Sequence, residues 1–203
     1  LFSMDGDLAN VDKLKELKNQ YKFKLIVDEA HAIGVYGEKG KGWFSKHCNL
    51  QETVDVFIFN LSKSFAAQGG IVAGSKELKR YLVNKCRSFI YTTATPVYQL
   101  ESIEEKLTEI CNGDKQRKKL EELSSYIQQK VNLDRPWSPI IPIIIGEGNK
   151  TLQLANELFE NGYYCPAILP PTVKEGTSRL RISINIKHEE SDLESLSKFL
   201  IQD

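Results

Sequence analysis

KLIVDEAH, residues 24–31, and VDVFIFNLSKSFAAQGGIVAG, residues 54–74, decide the fold. Each begins with a short apolar run and ends at a side chain capable of chemistry. Leu25 to Val27 lead into Asp28, and Val54 to Phe59 lead into Lys63. Continuous apolar runs of this length are the pattern of strands buried in a parallel sheet. Gly34, Gly37, Gly40 and Gly42 mark the span between them as loop. Gly69-Gly70 opens a third strand, Ile71 to Ala73, and Ser75 caps a helix running through Leu78 and Leu82 to about Asn84. Upstream, Leu8, Val11, Leu14 and Leu17 recur at helical spacing, which predicts a helix over Asp7 to Tyr21. Strands interleaved with helices in this order predict an α/β layered sheet.

The second half reads differently. Helices are predicted over Tyr98 to Ile110 and Lys115 to Val131, divided by Asn112-Gly113. After a proline-containing linker, Asp134 to Pro139, come a strand (Ile140 to Ile145), a helix (Leu152 to Phe159) and an extended stretch (Tyr163 to Ile168). Pro166 argues for a sheet edge in that stretch. Arg179 to Ile186 alternates polar and apolar residues as a strand does, and Asp192 to Ile201 closes as an amphipathic helix. This βαββα series predicts a small α+β domain. The boundary is expected near residues 96–115, with residues 1–100 in the larger sheet domain and 101–203 forming connecting helices and the small domain.

Composition narrows the function. The 203 residues carry 27 Lys+Arg against 27 Asp+Glu, so the net charge is zero and the electrostatic footprint of a nucleic-acid binder is missing. The longest apolar stretch, Ile140 to Ile145, is far too short to span a bilayer and contains Pro142. Cys48, Cys86, Cys111 and Cys165 form no CxxC pair, which fits a reducing cytoplasm. The opening LFSMDGD has no signal-peptide pattern. It starts at Leu1 with motif-like text, and an upstream part of a longer protein is expected.

Three constellations carry chemistry. DEAH, residues 28–31, invites a helicase reading with Asp28 and Glu29 as metal and water-activating carboxylates. That reading needs a phosphate loop, and after Gly37 to Gly42 the required Lys and Ser/Thr are replaced by Trp43 and Phe44. The second is Lys63, hemmed by Phe57 to Phe59 and Phe65. Desolvation there would make its amine a nucleophile toward carbonyls. An aspartate and a lysine at strand ends suit a pyridoxal 5'-phosphate site: the lysine bonds the cofactor, and the aspartate keeps its pyridine nitrogen protonated. In the third, Arg179 and Arg181 share one strand face, and one of them can clamp a carboxylate. A solvated, charge-bearing strand is the plainer reading of either arginine alone. No metal site is expected: HEESD (188–192) lacks a second histidine at zinc spacing, and Asp5-Gly6-Asp7 is too short for a calcium loop.

The order and spacing of SMDGD (3–7), LIVDEAHAIGVYGEKGKGW (25–43), NLSKSFAAQGGIVAG (60–74), RSFIYTTATP (87–96) and LPPTVKEGTSRLRISI (169–184) resemble the α-oxoamine synthases, a family of fold type I pyridoxal phosphate enzymes. The likeness runs through essentially the whole chain, but over only the later half of a family member's length. It implies that Lys63 bonds the cofactor and that Asp28 partners its pyridine nitrogen. His31 and Ser3 would bond its phenolic oxygen. Arg181 would hold the substrate carboxylate, with Thr172 in the acyl-chain region. Thr93 would reach the phosphate of a neighbouring subunit's cofactor in a homodimer. Asn60 departs from the family, which usually has Thr there for the phosphate, and Ser62 would compensate. The implied reaction is decarboxylative condensation of an amino acid with an acyl-CoA, L-alanine and a pimeloyl thioester being the preferred pair. Glycine with acetyl-CoA, or serine with palmitoyl-CoA, stay open as alternatives, as does an inactive fragment or scaffold subunit.

Overall fold

The computed structural model describes residues 1–201, which form two compact units: Leu1 with Ala9–Arg117, and Phe2–Leu8 with Lys118 onward. The division falls inside a helix, between Arg117 and Lys118.

The first unit is built around a three-stranded sheet in the order β1-β2-β3, with β1 at Ile26–Asp28, β2 at Val56–Asn60 and β3 at Gly70–Gly74. β1 and β2 are parallel, pairing Ile26 with Val56 and Asp28 with Ile58. β3 returns antiparallel, with Asn60 opposite Gly70. The connection from β2 to β3 is thus a hairpin loop, not a helical crossover, and Lys63 sits on it. Helix α1 spans Val11–Tyr21 and starts later than its apolar spacing predicts. The reason is Asn10, whose side-chain oxygen accepts the Lys13 amide at 2.9 Å and fixes the first turn there. Lys18 on α1 donates to the Thr53 carbonyl at 2.7 Å and pairs with Asp55, which also accepts the Leu25 amide at 2.9 Å. Asp55 therefore ties α1 to the entries of both parallel strands. Those bonds hold its carboxyl below the ordinary range, the Lys18 contact first and the Leu25 amide next.

The fully buried strand expected at β1 is covered on one side only. Leu25 and Val27 pack with Val11 and Phe44, whereas Ile26 is 62% exposed and Asp28 is exposed with it. Two short helices, α2 (Leu50–Thr53) and α4 (Arg87–Ile90), had no periodic signal. Helix α3 (Lys76–Lys85) begins where expected, with Ser75 Oγ accepting the Leu78 amide. Helix α5 runs over Val97–Cys111, and α6 over Asp114–Lys130.

The second unit holds an antiparallel sheet in the order β4-β6-β5, from Ile140–Gly146 (β4), Ser178–Ser183 (β6) and Ala167–Ile168 (β5). Pro166 precedes the edge strand, as its missing N–H requires. Helices α7 (Gly148–Glu160) and α8 (Glu190–Leu200) complete the βαββα series. Ile127, Ile141, Leu158 and Leu180 are fully buried at its centre. The Phe2–Leu8 segment packs in this unit. Gly6 has a left-handed φ of 66°, and a Cβ there would stand 2.0 Å from the Ile140 carbonyl oxygen, so only glycine fits. Among the described residues, no helix is long and apolar enough to cross a membrane.

Candidate active site

The carboxyl ends of β1 and β2 lie side by side, and this is the edge where open α/β sheets bind ligands. Asp28 is the last residue of β1. Its Oδ1 accepts the Ala30 amide at 2.8 Å, which sets the carboxylate at the strand end. The chain then turns at once: the Glu29 amide donates to the Ile58 carbonyl at 2.8 Å, and the Glu29 carbonyl accepts from Ala32 and Ile33. His31 lies in that turn.

Lys63 lies on the loop between β2 and β3. The loop is closed by its own backbone, with Leu61 N–H bonded to Gly69 O, Ala67 N–H to Leu61 O and Ala66 N–H to Lys63 O. The desolvation expected around Lys63 is not found, and Lys63 is exposed. Phe59 stacks on Phe65 with ring centroids 5.7 Å apart and meets Phe57 edge-on, so the three rings pack with one another instead of covering the amine. Asp28 is likewise an exposed carboxylate.

At Asn60 the side-chain oxygen accepts the Ser62 hydroxyl at 3.1 Å. The hydroxyl proton is therefore engaged within the pair, and the Asn60 amide nitrogen is the donor left for an anion. Thr93 lies on the exposed connection before α5 and takes no part in the hydrogen bonds that close the Lys63 loop. Together, Asp28, Lys63, Asn60 and Ser62 offer an anion, an amine and polar donors around one strand edge. That donor set suits a molecule with a basic ring nitrogen, a carbonyl and a phosphate.

Ser3, Thr172 and Arg181 belong to the second unit. Arg179 and Arg181 both face the Phe2–Leu8 segment, but in different states. Arg179 is 6% exposed, ion-paired with Asp5, and bonded through Nε to the Thr177 carbonyl. Arg181 is half-buried, and its Nε donates to the Ser3 carbonyl at 2.6 Å and its Nη1 to Ser183 Oγ at 2.7 Å. Burial lowers the pKa of Arg181 from its usual value. No carboxylate is bonded to Arg181 among the described contacts, so it is the arginine of the pair that can take one from a ligand. Thr172 and Ser3 line a recess of about 570 Å³ together with Phe2, Pro171 and Val173.

Sequence reasoning weighed Glu29 only as a helicase carboxylate. In the structure it is 1% exposed, and its two oxygens accept the Trp43 amide at 3.1 Å and the Phe44 amide at 2.7 Å. Burial raises its pKa, opposed by those two bonds. The signal for this was the small apolar residues that follow it, Ala30 and Ala32, both buried.

A family model described as Aminotransferase class I and II matches residues 1–200. The chain is 41% identical over 207 residues to a putative 8-amino-7-oxononanoate synthase of Acetivibrio thermocellus, covering 100% of this chain and 53% of that protein. It is 38% identical over 193 residues to the 8-amino-7-oxononanoate synthase of Lysinibacillus sphaericus, covering 93% and 49%. The chain thus spans about half the length of the curated relatives it matches. Among solved structures, the 8-amino-7-oxononanoate synthase of Francisella tularensis superposes with a TM-score of 0.86 at 27% identity, over 98% of this chain and 59% of that one. The serine palmitoyltransferase of Sphingomonas wittichii gives 0.91 at 24% identity over 98% and 52%, a likeness of fold.

Proposed function

Because the chain belongs to the class I and II aminotransferase family, we propose that the protein carrying it is a pyridoxal phosphate-dependent acyltransferase. It condenses L-alanine with a pimeloyl thioester, releasing the thiol and carbon dioxide, to give 8-amino-7-oxononanoate for biotin synthesis. The observation that carries this reading is Asp28 at the end of β1 and Lys63 on the loop that follows the neighbouring parallel strand β2, in a chain whose relatives bear that synthase's name.

When bound, pyridoxal phosphate supplies a carbonyl that bonds amines and a protonated ring that accepts electron density from the substrate carbon. The residues of this chain divide the remaining work. Lys63 Nζ would hold the cofactor through its carbonyl group, and its amine would take the substrate's α-proton. Asp28 keeps the ring nitrogen protonated through its negative charge. His31 and Ser3 hydrogen-bond the phenolic oxygen. The Asn60 amide, oriented by Ser62, holds the phosphate, and Thr93 reaches the phosphate of the neighbouring subunit's cofactor. Arg181 binds the amino-acid carboxylate, and Thr172 lies along the acyl group. The exposure of Asp28 and Lys63 supports their availability to a ligand.

The same reading includes a homodimer in a reducing cytoplasm. Exposed Phe89, Tyr91, Val97, Tyr98 and Leu100 support the dimer, since an apolar row of this kind marks an interface. Four free cysteines support the reducing setting. The test is turnover by the whole protein with L-alanine, glycine and L-serine against pimeloyl, acetyl and palmitoyl thioesters. Fastest turnover with alanine and the pimeloyl thioester is expected. Faster turnover with glycine and acetyl-CoA, or serine and palmitoyl-CoA, would replace the substrate pair, and no turnover with any pair would contradict the acyltransferase reading.

A further inference from the structure

Glu29 is a buried carboxylate that the proposed reaction does not use. Burying a charge is costly unless hydrogen bonds compensate, and here two backbone amides do so, one on each oxygen. The backbone also closes tightly on the carboxylate. Gly42 has φ +95°, and a Cβ there would stand 2.9 Å from the Glu29 Cδ and 3.0 Å from both its oxygens. Residues 42–44 therefore wrap the carboxylate, and only glycine allows the approach.

From this anchor the loop closes back toward Lys63. The Gly42 amide donates to the Tyr36 carbonyl at 2.9 Å, and the Gly34 amide to the Gly40 carbonyl at 2.7 Å. That closure sets Ile33 and Gly34 against Ser64. Ser64 Oγ donates to the Ile33 carbonyl at 2.5 Å, and a Cβ on Gly34 would lie 2.8 Å from Ser64 Cβ. Ser64 adjoins Lys63. At its other end Glu29 adjoins Asp28, and its own amide is bonded to Ile58 on β2. One residue thus fixes the end of the strand bearing Asp28 and closes the loop that abuts the lysine hairpin.

We infer that Glu29 is a positioning residue: its carboxylate closes the 34–44 loop, and the Ile33–Gly34 edge of that loop fixes Ser64 and the backbone of Lys63 relative to Asp28. The assignment of a purpose to that geometry rests on the proposed roles of Asp28 and Lys63. The geometry itself does not.

The test is hydrogen exchange read by peptide mass in the full chain, comparing Glu29→Gln with the unsubstituted protein. Glutamine presents N–H to an amide that needs an acceptor, so one of the two bonds becomes a clash of donors. Gly42→Ala serves as a second variant, pushing a methyl into the carboxylate. Asp55→Asn is the control, because Asp55 stabilises the same unit through Lys18, Lys24 and the Leu25 amide, none of which lies in the loop. Both loop variants are expected to speed exchange in peptides covering 40–45 and 60–68 by about tenfold or more, while Asp55→Asn speeds the unit evenly. Faster exchange confined to 40–45, no change in either segment, or an equal response of 60–68 to Asp55→Asn would overturn the inference. A second readout is labelling with pyridoxal phosphate, reduction with borohydride and mapping of the adduct in the whole protein. Glu29→Gln is expected to lower the share of label on Lys63 several-fold, and an unchanged share would count against positioning. If the unsubstituted protein takes no label on Lys63, the cofactor reading fails, and the exchange result still decides the role of Glu29.

Discussion

The two units solve the burial problem in opposite ways. In the second, Ile127, Ile141, Leu158 and Leu180 are fully buried between one antiparallel sheet and its helices. In the first, a small cluster of Val11, Leu25, Val27 and Phe44 covers one side of the sheet. The other side leaves Ile26, Val72 and Asp28 exposed. The same contrast holds for the charged groups. The buried arginine of the second unit, Arg179, is paired with a carboxylate, whereas Asp28 and Lys63 in the first unit stand exposed at a strand edge. The lesson is that one unit is organised around its own core, and the other around a surface it presents.

Substitutions can break or sharpen that contrast. Lys63→Ala in the whole protein is expected to lower turnover by about a thousandfold or more, because the amine has no substitute in proton transfer. Its melting temperature should hold, since the exposed side chain packs on nothing. A parallel loss of stability would show that Lys63 is structural. Ile141→Ala should do the reverse. It empties a fully buried site and is expected to cost about 3–4 kcal/mol in denaturant unfolding, against less than about 1 kcal/mol for Ile26→Ala on the open face. Equal costs would mean that the open face of the first unit is covered.

The two arginines divide likewise. Arg179→Gln is expected to cost about 2–3 kcal/mol, because it removes a buried, paired guanidinium. Arg181→Gln is expected to cost no more than about 1 kcal/mol of stability, and to raise the KM for the amino acid several-fold. A rise in KM confined to Arg179→Gln would reverse the assignment. The effect at Asp55 depends on pH. Its carboxyl is held below the ordinary range in the folded state, so its contribution is present above the unfolded pKa near 4 and is lost as pH falls below that value. Asp55→Asn should cost about 1–2 kcal/mol at neutral pH, and the cost should shrink in acid. A cost that does not change between pH 7 and pH 3 would contradict this.

Much of this was legible in the residues. The strand ends bearing Asp28 and Lys63 follow from apolar runs that stop at polar side chains, and Ser75 caps α3 as its identity predicts. Pro166 signals the edge strand because it cannot donate to a ladder. What was not legible depends on partners distant in sequence. Arg179 pairs with Asp5, 174 positions away, and no local pattern distinguishes it from Arg181. The exposure of Lys63 turns on Phe59 stacking on Phe65, which composition alone cannot foresee. Glu29 reads as half of a familiar tetrapeptide, and its role appears only when residues 42–44 fold onto it. The antiparallel return of β3 was hidden for a similar reason: its five residues carry no signal of direction.

The central claim is that the strand edge bearing Asp28 and Lys63 is a pyridoxal phosphate site. Its most direct test is to incubate the protein, as isolated from its source, with pyridoxal phosphate, reduce with borohydride, and locate the adduct by peptide mass. One stoichiometric adduct on Lys63 is the predicted result, and it should be lost in Lys63→Ala and weakened in Asp28→Asn. Labelling scattered over many lysines, or absent from Lys63, in the whole protein would contradict the claim.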